Sequence, residues 1–538
     1  MCASPESWSS PANTKSELIV SKQLRDVILV LGDQLDIHAK ALSRFDPAQD
    51  AIWMAEVHEE ATHVWCHKTR LVLFFSAMRH FRDELRSRGL PVHYHELTAD
   101  PDKDRGASLA EVLEKDIHEI RPERILLTQP GDFRVLTGLK ALAAKNDIPL
   151  KILQDGHFFA STDDFTAFAQ SRKRLLMEDF YHLMRRKTGF LMDSQGKPVG
   201  GRWNYDQDNR RPLPKDLLKS LPHPRTFAPD ATTREVLAMV QARFPAHPGT
   251  CGDFDLPVTR AQALEFLNNF ILHRLADFGT YEDAMLAGEP FLFHSRLSTC
   301  LNLKLLHPRE CLDAALRAYE DKQAPLNSVE GFVRQILGWR EYIRGIYWMH
   351  MPGYQELNVL EHDLPVPSFF WDGAVDMACV RDAMTHVLRH AYSHHIQRLM
   401  VLGLFALLAG VHPRRFHEWH MAMYADAVDW VSLPNALGMS QYGDGGIVGT
   451  KPYCASGKYI HRMSDYCPAC PFDPTQSSGP TACPFTILYW DFLDRHETRL
   501  HGNPRMAIQL ANLRRRRLDK NQTRQTRSAA GAVIKRYF

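Results

Sequence analysis

The chain is organised around the sequence Asp426-Ala-Val-Asp-Trp-Val-Ser-Leu-Pro-Asn435, the centre of a longer segment from Trp371 to Cys483. The same segment contains two adjacent histidines, His394 and His395, immediately before an apolar run. Carboxylates, an amide and imidazoles in so apolar a region need partners, because an unpaired buried polar group is costly. The segment therefore predicts a helical core that holds a heteroaromatic ligand.

Cysteines mark the second half of this segment. Cys467-Pro-Ala-Cys470 and Cys483 lie among Pro, Asp, Ser and Gly residues, and a Cys-x-x-Cys in such a loop is more typical of metal ligation than of packing. Spacing alone favours Cys454 as the fourth ligand over Cys379, which a long helical hairpin could return to the loop. Zinc and an iron–sulfur cluster would both suit four thiolates.

The histidines and tryptophans of the segment have structural as well as functional interpretations. Adjacent helical residues point about 100° apart, so one pocket would not readily take the rings of both His394 and His395. One ring is expected to face a ligand while the other supports it, although spacing alone favours a structural pair. Trp371 and Trp419 are, by the same reasoning, more typical of core packing.

Composition limits the class of protein. The 538 residues include 65 Lys and Arg against 63 Asp and Glu, which excludes a wholesale basic nucleic-acid binder but not a local basic face. Ten irregularly spaced cysteines do not form a disulfide scaffold. The longest apolar run, Leu399 to Val411, is shorter than the ~20 residues of a membrane span. We therefore expect a cytoplasmic, monomeric protein with no membrane segment.

Outward from the central segment, the first part of the chain alternates between strand and helix patterns. Strands are predicted at Val27–Leu31, Ala51–Ala55, Val92–His95, Arg124–Leu127 and Leu150–Leu153, with helices between them at about Ala61–Arg88 and Leu109–Ile120. This alternation predicts a parallel sheet with helices on both faces.

The first strand is followed by Gly32, Asp33 and Gln34, without a Gly-x-Gly-x-x-Gly motif, so a nicotinamide dinucleotide site is not supported. Asp33, Gln34 and Glu60 would lie at carboxyl ends of strands, where open α/β sheets bind ligands. Ordinary polar loop residues are an equally good interpretation of all three.

The pattern divides the chain into five parts. Residues 1–24 are predicted to be a disordered extension without the apolar region of a signal peptide, and residues 25–155 an α/β domain. Residues 156–230 are predicted to be an inter-domain connection, and residues 231–500 a helical domain. Residues 501–538 are predicted to be a basic tail, solvated and disordered, with a non-specific phosphate contact as the alternative.

Two further patterns suggest phosphate contacts. Phe291-Leu-Phe-His-Ser-Arg-Leu-Ser298 ends in a polar turn ahead of a helix pattern, where free backbone N–H groups favour an anion, although serines also commonly cap helices. In the connection, Arg210 and Arg211 follow Trp203 and Tyr205, a mixture suited to nucleic acid. Simple linker composition explains the second pattern equally well.

Several longer motifs resemble one known family. They are Leu31-Gly-Asp-Gln-Leu35, Phe75-Ser-Ala-Met-Arg-His-Phe81, Phe332-Val-Arg-Gln-Ile-Leu-Gly-Trp-Arg-Glu-Tyr-Ile343, His394-His395 and Cys467-Pro-Ala-Cys-Pro471. Together they resemble the photolyase–cryptochrome family, and more closely its bacterial iron–sulfur branch, which contains the prokaryotic (6-4) photolyases. The resemblance runs from about Val27 to Arg499 and implies a Rossmann-like antenna domain followed by a helical FAD-binding domain.

The resemblance implies roles for residues that spacing alone did not assign. The residues implied to hold FAD are His294, Ser295, Leu297, Ser298, Gln335, Arg340, Asp426, Asp429 and Asn435. Those implied to bind the antenna, 6,7-dimethyl-8-ribityllumazine, are Gly32, Asp33, Gln34 and Glu60. Those implied to hold a [4Fe-4S] cluster are Cys379, Cys467, Cys470 and Cys483, a set that replaces Cys454.

The implied activity is light-driven reversal of a (6-4) photoproduct flipped out of UV-damaged DNA. His394 and His395 would be catalytic, since an imidazole suits proton transfer near neutrality. Trp371 and Trp419 would relay electrons to the flavin. A cryptochrome-type photoreceptor with the same cofactors is the alternative.

Further inferences from the resemblance are less direct. Arg210, Arg211 and Tyr453 are the residues expected to contact DNA. His420 stands where relatives carry an aromatic residue, which leaves the outermost step of the electron relay open. Ser432 stands where a carboxylate is expected near the flavin, a change that could alter its redox behaviour.

Overall fold

A computed structural model describes residues 24–538, so the predicted extension lies outside the described residues except for Leu24. The five predicted strands are confirmed as one parallel sheet in the order β3-β2-β1-β4-β5. Strands β1 and β2 are buried along their whole length and apolar after their first residues, Asp26 and Asp50, because helices cover both faces of the sheet. The strands are β1 (Asp26–Leu29), β2 (Asp50–Ala55), β3 (Val92–His95), β4 (Arg124–Thr128) and β5 (Leu150–Leu153).

Helices connect the strands and then form the rest of the described chain. The α-helices of the first part are α1 (His58–Thr62), α2 (Lys68–Ser87), α3 (Leu109–Ile120), α4 (Phe133–Lys145), α5 (Thr162–Gln170), α6 (Met177–Thr188), α7 (Ala231–Arg243), α8 (Arg260–His273), α9 (Leu275–Phe278), α10 (Ser298–Asn302) and α11 (Pro308–Glu320). Those of the second part are α12 (Leu326–Val333), α13 (Glu341–His350), α14 (Phe369–Asp372), α15 (Ala378–His390), α16 (His395–Gln397), α17 (Leu404–Ala409), α18 (Pro413–Met423), α19 (Asp429–Leu433), α20 (Gly457–Met463), α21 (Pro484–Leu500), α22 (Ala507–Arg517) and α23 (Lys520–Tyr537).

Three of the long helices of the second part contain a π-helical stretch. These stretches are Arg334–Arg340 between α12 and α13, Arg398–Gly403 between α16 and α17, and Pro434–Ser440 after α19. Such widened turns are frequent at functional sites, because they turn side chains away from the regular helical register. Four residues of interest lie on them: Gln335, Arg340, Arg398 and Asn435.

The expected connection between the two domains is partly helical and packs into the core. It contains α5 and α6, and the Phe165 ring on α5 lies 5.1 Å from Phe180 and 5.6 Å from Tyr342, centroid to centroid. Glycine is required opposite it, since a Cβ at Gly345 would lie 2.1 Å from the Phe165 ring. The loose composition of this segment concealed a packed helix pair.

The sheet and the helical part are in close contact. The Trp430 backbone N–H donates to the Gly131 carbonyl oxygen at 3.0 Å, and the buried Lys304 ammonium lies 2.8 Å from the Asp155 carboxylate. A Cβ at Gly131 would lie 2.8 Å from Trp430 and 2.5 Å from the Asp33 carboxylate. The two parts therefore meet with no room for a methyl group at this point.

The expectation of a solvated, disordered basic tail is wrong. Residues 507–537 form α22 and α23, which pack on each other and on α21. Apolar side chains at helical spacing anchor them, with Leu510 and Leu513 buried on α22 and Ala530 and Val533 on α23. None of the described helices is long and apolar enough to cross a membrane.

Candidate active site

Three histidines form the centre of the candidate site. The rings of His294 and His394 are stacked, with centroids 4.5 Å apart and planes inclined by 13°. His394 is fully buried, and neither of its ring nitrogens has a hydrogen-bond partner. His395, the next residue, is exposed. The structure thus confirms that the adjacent rings have different environments, one inside the core and one accessible.

Buried arginines accompany these histidines: Arg296 belongs to the polar turn that the sequence analysis singled out, whereas Arg274 and Arg398 were missed. Arg274 donates from Nη1 to the His294 carbonyl oxygen at 2.7 Å, and the Arg296 guanidinium lies 4.0 Å from the Phe291 ring centroid. Burial, together with the charge of Arg296, lowers the pKa of Arg274 to about 10. Burial and the nearby His395, Arg274 and Arg398 lower the pKa of His294 to about 3.

A carboxylate balances the third arginine. Arg398 donates from both Nη atoms to the two oxygens of Asp426, at 3.0 and 3.2 Å. Although burial raises the pKa of Asp426, this ion pair and a hydrogen bond from Ser298 lower it below its ordinary value. Asn302 donates to the Asp426 carbonyl oxygen at 2.7 Å, so α10 and the Asp426 segment meet at this pair. The predicted residues Ser298 and Asp426 are therefore brought together.

Unpaired polar atoms show what this site would bind. Buried nitrogens without a partner include Nε of Arg274, Nε and Nη1 of Arg296, and Nε2 of His294. The Ser432 hydroxyl is also buried and unpaired. Buried donors of this kind need acceptors, and two cationic groups close together favour an anion. The site fits a ligand with phosphate groups and a polar aromatic ring, which are the two halves of FAD.

The neighbouring residues Ser295 and Leu297 contribute mainly backbone geometry. Ser295 accepts a hydrogen bond at Oγ from the Leu297 N–H at 3.3 Å, and Leu297 is buried directly before α10. This turn holds Arg296 with a φ of 57°, in the left-handed region. The strained arginine between the two predicted residues is thus the side chain that is directed to the site.

A second cavity, of about 120 Å³, lies at the carboxyl edge of the sheet. The predicted residues Gly32, Asp33 and Glu60 line it. Gln34 does not, because its side chain is buried and donates to the carbonyl oxygens of Thr128 and Gln129. Three of the four residues expected at the antenna are therefore in one place, and the fourth has a structural role.

Asp429, predicted to lie beside the flavin, also lines this sheet-edge cavity. It accepts hydrogen bonds from Tyr347 Oη and from His417 Nε2, the latter at 3.0 Å. These bonds lower its pKa against the effect of burial, whereas burial and the Asp429 charge raise the pKa of Asp132 to about 6. The cavity thus combines carboxylate acceptors with an apolar wall.

Three other predicted flavin residues lie on the π-helical stretches. Arg340 donates from Nη1 to the His157 carbonyl oxygen at 2.9 Å and stacks over Phe158, at the junction of sheet and helices. Asn435 donates to the Val431 carbonyl oxygen of its own helix, and Gln335 is half-buried. None of these contacts joins Arg340, Asn435 or Gln335 to the histidine cluster.

The four cysteines predicted to hold a cluster lie near one another. Cys379 on α15 is buried, and its pKa is raised by burial and then by Cys483, Cys470 and Cys467. Cys454 is not among these neighbours, and the charge that acts on its thiol is that of Lys451. Among the residues from 24 onward that the structure describes, no three metal-binding side chains converge on a single ion.

The two predicted relay tryptophans are linked through the backbone. Trp419 is 1% exposed and donates from Nε1 to the Phe370 carbonyl oxygen at 2.8 Å, directly before Trp371. His420 is buried, and its ring centroid lies 4.5 Å from that of Tyr424. The position that raised doubt about the relay therefore points into the core.

The predicted DNA-contacting residues lie on one face. Arg210 and Arg211 are exposed, and Arg210 pairs with Asp206. Tyr453 is half-buried, and charges that act on its hydroxyl include those of Asp206, Arg505 and Arg210. Arg210 and Tyr453 are therefore neighbours, although 242 residues separate them in the sequence.

Comparison with known proteins identifies the family. A family model described as "Deoxyribodipyrimidine photo-lyase-related protein" matches residues 28–256. A curated (6-4) photolyase from Agrobacterium fabrum (strain C58) is 46% identical over 507 residues, which cover 94% of this chain and 99% of the relative. The chain belongs to the (6-4) photolyase family.

A solved structure agrees with this membership at the level of the fold. A bacterial class III photolyase from Agrobacterium tumefaciens superposes with a TM-score of 0.53 at 15% identity, covering 84% of this chain and 88% of that one. Membership of the photolyase family implies a flavin cofactor, and the unpaired arginine and histidine nitrogens fit one. The family resemblance derived from the motifs is thereby confirmed.

Buried histidines make the stability of this photolyase pH-dependent. Burial lowers the pKa of His67, His157 and His496 to about 4, whereas an unfolded histidine titrates near 6.5. Between these values the unfolded chain binds protons that the folded chain does not. The neutral buried histidines therefore cost the folded state nothing above about pH 6.5. On acidification below that value the free energy of unfolding falls by about 1.4 kcal/mol per histidine and pH unit.

We expect the thermal midpoint of unfolding to be lower at about pH 5.5 than at about pH 7.5. Asp132 and Glu282 act in the opposite direction, because burial raises the pKa of Glu282 to about 8, but the buried histidines outnumber them. Circular dichroism at a series of pH values measures the midpoint. An unchanged or higher midpoint at the lower pH would contradict the assignment of neutral buried histidines.

Proposed function

We propose that the protein reverses UV-induced (6-4) pyrimidine–pyrimidone photoproducts in DNA, using light and a reduced FAD. The observation that carries this proposal is the histidine cluster, in which buried His394 stacks on His294 while His395 is accessible. The 46% identity to a (6-4) photolyase across nearly the whole chain supports the same lesion and favours repair over a photoreceptor role.

FAD would be held by the buried arginines and their neighbours. Arg274 and Arg296 present unpaired nitrogens suited to the two phosphates, next to His294 and Ser295. The Arg398–Asp426 pair and the unpaired Ser432 hydroxyl would meet the polar edge of the ring system. When bound and fully reduced, the flavin supplies on illumination the electron that begins repair.

The two histidines would divide the remaining work. His395 has solvent-accessible atoms, and the partial enclosure of its ring, followed by the charge of Arg398, lowers its pKa, so the ring is neutral near pH 7. A neutral imidazole donates at one nitrogen and accepts at the other, which lets it move a proton between two positions of the lesion. His394 is buried behind it and would fix the position of the flipped base.

A [4Fe-4S] cluster would be held by Cys379, Cys467, Cys470 and Cys483. Support comes from the thiol of Cys379, whose pKa is raised by burial and then by the neighbouring Cys483, Cys470 and Cys467, whereas Cys454 is not among these neighbours. Four thiolates are the usual ligand set of a [4Fe-4S] cluster. The cluster would join α15 to the loop before α21.

The sheet-edge cavity is proposed to bind 6,7-dimethyl-8-ribityllumazine. Asp33, Glu60 and Asp132 offer acceptors for ring N–H and ribityl hydroxyl groups, and Phe74 and Met78 form an apolar wall. Burial raises the pKa of Asp33, so this carboxyl can also be protonated and donate.

Damaged DNA would meet the face that carries Arg210, Arg211 and Tyr453.

Repair is tested with DNA that carries a single defined (6-4) lesion. Chemically reduced protein is mixed with this DNA and, separately, with DNA that carries a cyclobutane dimer, in light and in darkness. We expect the (6-4) lesion to disappear only in light and the dimer to persist, as followed by chromatography of the DNA.

Other outcomes separate the alternatives. Photoreduction of the flavin with both lesions intact would replace repair by a cryptochrome-type photoreceptor. Loss of the cyclobutane dimer instead would retain the photolyase but change its lesion.

A further inference from the structure

A third tryptophan extends the pair Trp371 and Trp419 to the protein surface. The ring centroids of Trp65 and Trp371 are 5.2 Å apart, with the ring planes inclined by 45°. Trp65 lies in the turn between α1 and α2, so this contact joins the sheet part of the chain to α14 of the helical part. It was not identified from the sequence, where 305 residues separate the two tryptophans.

Burial changes in one direction along these three rings. Trp65 is 46% exposed, Trp371 is half-buried and Trp419 is 1% exposed. Among the tryptophans from residue 24 onward, Trp65 is the one that belongs to the exposed large hydrophobic residues.

The inner end of the series reaches the candidate active site. The Trp419 ring lies 5.7 Å from the Tyr424 ring, and the Arg398 guanidinium lies 3.9 Å from the centroid of the same Tyr424 ring. Arg398 is paired with Asp426 in the candidate flavin site. A series of aromatic rings therefore runs from solvent to this ion pair. Between Trp371 and Trp419 the connection is the hydrogen bond from Trp419 to the backbone carbonyl of Phe370.

We propose that Trp65 is the surface terminus through which electrons from a soluble thiol reach the flavin. Trp419 gives one electron toward the flavin and is then reduced by an electron from Trp371. Trp371 is in turn reduced by Trp65, and Trp65 is reduced by a thiol in solution. Two such transfers oxidise two thiols to one disulfide and reduce FAD to FADH−; of the two thiol protons, one is balanced by the proton that the flavin takes up and one stays in solution. The inference rests on the proposed function, since it needs a bound flavin.

The position of His420 is consistent with this route. Its ring packs on Tyr424 in the core and is not at the surface, so it does not supply an outer donor. Trp65 does so from a different part of the chain. The outer member of the relay therefore belongs to the sheet part of the fold.

The test compares Trp65→Phe with the wild-type protein and with Trp490→Phe, a half-buried tryptophan on α21. Oxidised protein is illuminated with a thiol in the absence of oxygen, and the absorbance of the flavin is followed. We expect flavin reduction in Trp65→Phe to be about tenfold slower, which corresponds to about 1.4 kcal/mol of barrier. We expect Trp65→Tyr to be intermediate and Trp490→Phe to equal the wild type.

A second measurement does not depend on the rate. Wild-type protein is illuminated without thiol, and mass spectrometry of its peptides is used to locate oxidised indole. We expect oxidation at Trp65, and in Trp65→Phe at Trp371. Oxidation at Trp371 in the wild type, with Trp65 intact, would overturn the inference.

The inference and the proposed function fail in different ways. If Trp371→Phe slows photoreduction but Trp65→Phe does not, the relay ends at Trp371 and repair is unaffected. If chemically reduced wild-type protein repairs no lesion while Trp65→Phe still slows photoreduction, the electron entry stands and the repair function falls.

Discussion

Replacing His395 with alanine will lower the rate of light-driven (6-4) repair by about 100-fold or more, the usual contribution of a positioned proton donor or acceptor. His395 is accessible beside the buried His294–His394 stack, and its lowered pKa keeps it neutral near pH 7. Alanine removes the proton carrier without opening the core. Single-turnover repair of lesion-containing DNA measures the rate, and absorbance shows that the flavin remains bound.

A matched variant separates chemistry from structure. His273→Ala changes an exposed histidine on α8 that has no role in the proposed mechanism, and this variant should repair at the wild-type rate. A His394→Ala variant should behave differently from both, because it also leaves a cavity in the core and weakens flavin binding. Wild-type repair by His395→Ala would remove this residue from the mechanism and leave His394 as the candidate.

Replacing Cys379 with serine will reduce the iron content from about four atoms per chain to nearly none and will lower the thermal midpoint. Cys379 is the buried member of its group and comes from α15, whereas the other three cysteines come from one loop region. Loss of its thiolate would disconnect that loop from the helix, since binding of a metal cluster contributes directly to folding. Iron and acid-labile sulfide assays with calorimetry measure both effects.

Cys454→Ser is the matched control, because Cys454 is equally part of the cysteine-rich region but its thiol faces Lys451 and Tyr489. This variant should keep its iron and its midpoint within about 1 kcal/mol of stability. If Cys454→Ser loses iron and Cys379→Ser retains it, the ligand set suggested by local spacing is the right one.

Local patterns were sufficient to predict the sheet and some helices. The strand Val92–His95 and the helix Leu109–Ile120 have the predicted bounds, the helix because Ser108 caps it and Arg121 ends it in the left-handed region. The predicted helix at 61–88 is instead two helices. His67 starts the second one by accepting from the Thr69 N–H at Nδ1. A histidine cap is not visible in a hydrophobic pattern.

The parts of the site that depend on long-range contacts could not be predicted. Arg274 and Arg398 are far from His294 in the sequence, and only folding shows that both lie close to it. The π-helical stretches likewise leave no signal in residue spacing, because they follow from packing. In the basic tail, Arg and Lys dominate the composition and conceal the few apolar residues that anchor both helices.

The close approach at Gly131 has a consequence for protein engineering. A Cβ there would collide with Trp430 and Val428 of the helical part and with Asp33 of the sheet. A sheet part transplanted from another photolyase would therefore need glycine at this position and complementary shapes around it. Chimaeras joined only at the linker sequence would misalign the sheet part and the helical part, so the two have to be exchanged as a matched pair.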